Sequence, residues 1–487
     1  MLYVLENIFD KSNAENIKYL HWKSNEHISA ALNGDTDLDI MVHPDDHKRF
    51  VHIIENEGFS LYQAVGKQSY ISIFDYIKLD SESKKILHIH LHNRFVVGRK
   101  YFKEYLIPIE DTIFEKSIGD NNYPVKIMNP SQELIVLWIR YALKTSPIKF
   151  LVKGRRISND FIKESNWLEG RISSDGIDKV IQGLLIKNEA DFIDIFMRFL
   201  KDNKKSFDTL NLIKAIRKNY KPYKTERITG FKYLFTRSKM IINYICQKLY
   251  FPVPYRRINP TGGIIIAFIG SDGAGKSTVI TILQKSLAKK IDIYYEYLGS
   301  GDGKSSFLRA PLQLFKKIIK GNIKLSIHNE AHKEDQLRKL SASKVLWAVS
   351  LAIEKQSKLK RIWKAKSRGM TVICDRYPQI QVAGINDGPL LYTWIDSENR
   401  FKRKIAHWEF NIYKKATVFK PDLLIKMVVD SDTAKKRKPN ENPFIIERKV
   451  KIISDIDIPS YHIEVIDATK PLEEVIEDVY TRISRIL

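Results

Sequence analysis

From Gly270 the chain reads Gly270-Ser271-Asp272-Gly273-Ala274-Gly275-Lys276-Ser277-Thr278, a G-x-x-x-x-G-K-[ST] run. Each residue type there has a chemical reason. Glycines let the backbone turn tightly, so that successive N–H groups point at phosphate oxygens. The lysine reaches the β- and γ-phosphates of a nucleoside triphosphate, and the hydroxyl after it offers a ligand to Mg²⁺. Such a loop works where a strand ends and a helix starts, because the helix adds its positive dipole end. The apolar run Gly263–Ile269 supplies the strand and Thr278–Ala288 the helix. The pattern predicts a site for ATP and Mg²⁺ over Gly270–Thr278, with Lys276 on the phosphates and Ser277 on the metal.

Further elements are needed to position that loop. Apolar runs at Ile264–Ile269, Ile291–Leu298, Thr371–Cys374, Leu423–Val429 and His462–Ile466 alternate with helical stretches. This alternation predicts an α/β unit with a five-stranded parallel sheet covered by helices on both faces. Ahead of it, three prolines and two glycines in Phe251–Gly263 mark a linker. Residues from Ser131 to Tyr255 read as helical, with apolar residues at helical spacing in Glu133–Leu143 and Asp191–Leu200. Before them the signals are mixed. Leu38–Val42 is a short apolar strand, and Tyr70–Leu79 with Lys85–Leu91 reads as a hairpin. The expected division is residues 1–140, a helical middle region 141–255 and residues 262–487.

The 487 residues carry 81 Lys and Arg against 57 Asp and Glu, so the net charge is 81 − 57 = +24. That field attracts nucleotides, nucleic acid or anionic lipid, although a solvated lysine-rich surface accounts for it equally. The two cysteines, Cys246 and Cys374, have no metal-ligand spacing and argue against a disulfide scaffold. With no signal-peptide pattern at the start and no span of about 20 apolar residues, a cytoplasmic protein is expected. Phe231–Tyr250 is basic and apolar at once. It suits a peripheral membrane contact or a helix packed between domains.

The run Phe268–Thr278 resembles the phosphate loop of thymidylate kinases, and Val372-Ile-Cys-Asp375-Arg376-Tyr377 is similar to their strand-end D-R-[YFH] motif. Asp430–Arg437 resembles their lid, and Val465-Ile-Asp467-Ala their last strand. The resemblance implies a P-loop NTPase fold for the last 225 or so residues. It further implies that Asp375 lies near Mg²⁺ and phosphates, that Arg376 contacts an acceptor monophosphate, and that Arg437 closes over ATP. The chemistry agrees, because phosphoryl transfer needs positioning and positive charge above all. The family's Arg-Glu-Pro acceptor loop is replaced by Tyr297-Leu-Gly299-Ser-Gly301-Asp-Gly303-Lys304-Ser305, a glycine-rich run that either binds an anionic acceptor or is a plain loop.

Near the start, His21-Trp-Lys-Ser-Asn25 followed by Gly34-Asp35-Thr-Asp37-Leu-Asp39-Ile-Met-Val42 resembles polymerase-β-type nucleotidyltransferases. That likeness implies an α+β domain in which Asp37 and Asp39, on one face of a strand, ligate metal ions. His90 stands where the family's third carboxylate is expected. His88, His90 and His92 share a face, which suits either metal binding or exposure.

The expected activity is ATP γ-phosphoryl transfer to dTMP or a related phosphorylated or hydroxylated acceptor. Two other readings stay open: a bifunctional nucleotidyltransferase-kinase acting on a sugar or lipid intermediate, and a regulatory P-loop ATPase. The partners open to the chain are ATP, that acceptor, a membrane surface at 231–250, nucleic acid and a second copy in a homodimer.

Overall fold

The computed structural model describes the chain except residues 66–69, 116, 120–122, 153, 155, 173–175, 182, 188, 202–203, 205, 300–341, 385–386 and 459. It forms two compact units, Met1–Lys78 with Lys85–Ile241, and Ile242–Leu487 with the short segment Leu79–Lys84.

In the first unit the strands are β1 (Tyr19–His21), β2 (Leu38–Val42), β3 (Ser60–Ala64), β4 (Ile73–Asp80), β5 (Lys85–His92), β6 (Val96–Val97), β7 (Tyr105–Leu106), β8 (Ile118–Gly119) and β9 (Lys126–Ile127). β6 and β7 pair with each other; the main sheet runs β3-β4-β5-β2-β1-β9-β8. The predicted hairpin is thus β4 and β5. β2 and β5 lie parallel, with Asp39 directly opposite His90.

The helix Pro130–Lys144 carries Leu134, Ile135, Val136, Leu137, Trp138 and Ile139 in succession, all buried. A helix apolar all round must be covered all round. Leu20, Trp22 and Met41 of the sheet region share its core, and so do Phe192, Phe196, Phe199, Ile213 and Ile216 from the later helices. Most of the helical stretch expected over 141–255 thus packs into the core of the first unit.

In the second unit, after β10 (Arg257–Ile258), come β11 (Ile265–Gly270), β12 (Ile293–Tyr297), β13 (Thr371–Asp375), β14 (Leu423–Val428) and β15 (Ile463–Asp467). The five strands β11–β15 form one sheet in the order β12-β13-β11-β14-β15, every neighbouring pair parallel. Its central strands are near-continuous apolar runs because both faces are covered. β11 has β13 on one side and β14 on the other, so the strand order reverses there. Open parallel sheets bind ligands at the crevice formed at such a point, beyond the carboxyl ends of the strands. The proline-rich run ahead of β11 is pinned and not slack. Tyr255 and Arg256 backbone N–H groups donate to Asp292 Oδ2 (2.8 and 2.6 Å).

Candidate active site

β11 ends at Gly270, and the helix Lys276–Leu287 starts with Gly275 as its N-cap, at φ +80°. Gly273 lies at φ +86°, and a Cβ there would stand 2.9 Å from the Ala434 carbonyl. Two glycines in the left-handed region therefore shape the turn, and the helix Ser431–Arg437 packs close against it. Lys276 is buried, with Nζ donating to the Gly270 and Ser271 carbonyls at 2.8 and 2.7 Å. Burial, helped by the nearby Arg376 charge, lowers its pKa to about 8, while Asp375, Asp272 and Asp387 pull the other way.

Asp375 closes β13 next to β11, and Ser277 Oγ donates to its Oδ2 at 3.4 Å. Burial raises the Asp375 pKa, although Lys276 and Arg376 hold it back. A serine hydroxyl and a carboxylate are hard oxygen donors of the kind Mg²⁺ takes, so these residues fit the metal. Arg376 follows at φ +70°. A non-glycine residue in that region is strained, and such strain clusters at functional sites. Its guanidinium bridges Asp272 (3.0 Å) and Asp387 (3.6 Å). Asp272 also pairs with Lys449. Burial works against the Asp272 carboxylate, but Lys449 and Arg376 outweigh it and hold its pKa below the usual value.

Two clefts flank the loop. One, of about 240 Å³, is lined by Ala274, Gly275, Thr278, Val279, Met427 and Arg437 among others. It is largely apolar, as an adenine pocket needs to be. Arg437 NH1 donates to the Ala468 carbonyl (2.8 Å) and the Gly273 carbonyl (3.3 Å). The other cleft, of about 440 Å³, holds Trp347, Leu351 and Tyr413 beside Lys355, Arg376 and Asp387. Lys355 is buried, donates to the Leu298 carbonyl at 3.0 Å and pairs with Asp387 at 3.2 Å. Loop, metal-type donors and cations meet between the two.

No protein-family model matches the chain. It is 27% identical over 229 residues to a protein named "Uncharacterized ATP-binding protein YghR" from Escherichia coli (strain K12), covering 46% of this chain and 87% of that protein. It is 26% identical over 221 residues to "Uncharacterized ATP-binding protein YghS" of the same strain, covering 45% of this chain and 92% of that protein. Among solved structures, a deoxyadenosine kinase from M. mycoides with bound dATP aligns over 45% of this chain and 99% of that one. At a TM-score of 0.26 and 15% identity that likeness is too slight to carry an argument.

The structure thus brings Gly270, Ser271, Asp272, Gly273, Ala274, Gly275, Lys276, Ser277, Thr278, Asp375, Arg376 and Arg437 to one sheet end. Gly301–Ser305 of the glycine-rich run lies outside the described residues. Sequence reasoning missed Lys355, Lys449, Trp347 and Tyr413. The signal for the lysines is weak, because Lys355 shares the helix Ala342–Ser367 with several other lysines and Lys449 shares Pro443–Asp455 with Lys451, and only tertiary packing shows which ones turn inward.

In the first unit Asp39 meets Lys23 Nζ at 2.8 Å and His90 Nδ1 at 2.9 Å. Burial opposes its ionisation, but Lys23 and His90 hold its pKa well below the usual value. Asp37 lies 3.0 Å from His88 Nδ1, and His88 Nε2 lies 2.8 Å from Asp75. Both aspartates of the D-x-D pair therefore face nitrogen. Among the described residues no three His, Cys, Asp or Glu side chains group as a metal site. His88 and His92 are buried, so exposure does not explain the histidine row. Asn25 of the first motif ties β1 to the helix Pro130–Lys144: its N–H and side-chain amide donate to Glu133 at 3.0 and 2.7 Å.

Proposed function

We propose that this chain is an ATP-dependent phosphotransferase whose second unit binds ATP and Mg²⁺ over Gly270–Thr278. The γ-phosphoryl group passes to an acceptor in the cleft beside Arg376. The observation that carries this reading is the placing of Lys276, Ser277, Asp375 and Arg376 between an apolar cleft and a cationic one. Two relatives named as ATP-binding proteins support the nucleotide. An ATPase needs no second cleft with its own cations, which favours a kinase.

Mg²⁺, when bound by Ser277 and Asp375, neutralises charge on the phosphate oxygens. The acceptor oxygen attacks the γ-phosphorus, the bond to the β–γ bridging oxygen breaks, and ADP leaves with that electron pair. Lys276 and Arg376 offset the charge of the three equatorial oxygens. An aromatic pair, Trp347 and Tyr413, beside Lys355 and Arg376 suits an acceptor with a planar ring and a phosphate, such as dTMP or another nucleoside monophosphate. A screen of acceptors with γ-labelled ATP, with Lys276→Ala as blank, tests the reading. Label is expected on a nucleoside monophosphate; ATP hydrolysis with no labelled acceptor would leave only an ATPase.

We further infer a peripheral membrane contact at residues 231–250. The helix Gly230–Lys248 turns Phe231, Leu234, Phe235, Ile241, Ile242 and Ile245 outward, carries Arg237, Lys239 and Lys248, and contains no acidic residue. Among the described residues no helix is long and apolar enough to cross a membrane. An apolar face with basic flanks suits the headgroup layer. Co-sedimentation with phosphatidylglycerol vesicles is expected, reduced by the double substitution Phe231→Ser and Phe235→Ser; equal sedimentation of both proteins would refute the contact.

A further inference from the structure

In the cleft of the second unit beside Arg376, cations and carboxylates are balanced: Lys355, Arg376 and Lys449 stand with Asp272, Asp387 and Glu441. Asp387 joins two of the cations. Its Oδ1 lies 3.2 Å from Lys355 Nζ and its Oδ2 3.6 Å from Arg376 NH1. One carboxylate thus takes one cation on each oxygen. The side chains of Lys355 and Asp387 are 4% and 6% exposed and that of Arg376 23%. Lys355 Nζ also donates to the Leu298 carbonyl at 3.0 Å and stands 5.2 Å from the Tyr413 ring centroid. An ammonium has three N–H donors, and these two oxygens use two of them.

The backbone that presents this carboxylate is tied down. Asp387 stands at φ +65° and Arg376 at φ +70°, so two non-glycine residues in the left-handed region meet in one cleft. A Cβ on the next residue, Gly388, would run into the Val382 carbonyl. The Gln379 side chain accepts from the Val382 N–H and donates to the Val382 carbonyl, both at 2.8 Å. Gly384 N–H donates to the Pro389 carbonyl at 2.9 Å. Leu390 and Leu391 N–H donate to the buried Glu409 carboxylate at 3.0 and 2.7 Å. A carboxylate carried by such a segment has its place set before any ligand arrives.

We propose that Asp387 is a positioning residue for the acceptor. It fixes the Lys355 ammonium and the Arg376 guanidinium side by side, so that both donate to the phosphate of one nucleoside monophosphate. Two like charges close together in a cleft repel, and the carboxylate between them offsets that repulsion. A phosphate presents three terminal oxygens, and cationic donors held at a set spacing take two of them at once. Without the carboxylate, Lys355 is left with the Leu298 carbonyl and Arg376 with Asp272, and their spacing is lost. The acid itself makes and breaks no bond. Asp387 belongs to none of the motifs that carry the kinase resemblance. The inference rests on the kinase reading only for assigning a nucleoside monophosphate to this cleft.

The test uses the full chain, with Mg²⁺ and a non-hydrolysable ATP analogue filling the phosphate loop. Calorimetric titrations with dTMP and with AMP should show saturable binding of at least one of them. Asp387→Asn keeps the side chain's size and suits the left-handed backbone. It should weaken that binding roughly tenfold, with the thermal melt and the affinity for the ATP analogue unchanged. Lys355→Met should weaken it too, and in the double variant the two losses should fall short of multiplying, because Asp387 acts through Lys355. Should Asp387→Asn fail to fold, Asp387→Gly, which also suits that backbone, takes its place. Equal or tighter binding by the Asp387 variant would show that the carboxylate only competes with the phosphate for the cations, and would overturn the proposal. So would losses that multiply, as an independent structural role gives, or no binding of either nucleotide. Transfer of label from ATP to the bound monophosphate is read separately on the unsubstituted chain. Binding that Asp387→Asn weakens, with no transfer, would refute the kinase reading alone; transfer, with binding that Asp387→Asn leaves unaltered, would refute this proposal alone.

Discussion

The phosphate loop of the second unit and the Asp39 cluster of the first are assembled in contrasting ways. In the loop, the donors are main-chain N–H groups within nine consecutive residues, and a single lysine adds the full charge. In the cluster, the groups are the side chains of Lys23, Asp39 and His90, drawn from the loop after β1 and from two strands. A loop made of backbone has its geometry set by glycine and by the helix start. A cluster made of side chains exists only after the strands that carry it have paired. The first arrangement can be read from a short run of residues. The second cannot.

Each prediction presses on that contrast. The largest effect is expected from Lys276→Ala, which should lower phosphoryl transfer on the order of 10²–10³-fold, measured with γ-labelled ATP. Unchanged transfer would show that this lysine does not act on the phosphates. Next comes pH. Lys276 has its pKa lowered from 10.5 to about 8, so it loses its proton as pH rises through about 8. ATP affinity should then fall by up to about tenfold per pH unit, and binding should take up a proton. The sign for stability is opposite. Between about pH 8 and 10.5 the unfolded lysine holds a proton that the folded one has released, so this residue's contribution to stability rises with pH. A flat ATP-affinity profile from pH 7 to 10 would contradict the burial of this ammonium.

Gly273→Ala tests the backbone-made character of the loop. With φ at +86° and the Ala434 carbonyl 2.9 Å from the new Cβ, it should cost about 1–3 kcal/mol, seen as a lower melting temperature together with weaker ATP binding. An unchanged melt would mean the turn is not constrained as described. The smallest effect is expected for Arg437→Ala. Its bonds to the Ala468 and Gly273 carbonyls are single neutral-acceptor contacts, so ATP affinity should drop roughly 2–10-fold, measured by titration.

Much of the second unit was legible beforehand. Its five strands lie within two residues of the apolar runs, and the central three are apolar nearly throughout because both their faces are covered. Asp375 and Arg376 were singled out by the resemblance of Val372–Tyr377 to a strand-end kinase motif. The acceptor cleft was not: Lys355 and Lys449 look like any surface lysine until the helices pack. In the first unit, Asp37 and Asp39 were visible on one face, yet what faces them was hidden. His90 comes to Asp39 through strand pairing across 51 residues of chain, and Lys23 comes from the far side of an αL residue, Ser24 at φ +58°.

The sequence by itself determined the turn at Gly270–Thr278 and the parallel sheet that ends in it, since backbone freedom at glycine and the periodicity of apolar residues are local properties. Tertiary structure alone decided which lysines line the cleft beside Arg376, how the helical stretch 141–241 joins the first core, and which groups face Asp39. Those outcomes depend on burial and on charges brought together from distant positions, and no short segment carries that information.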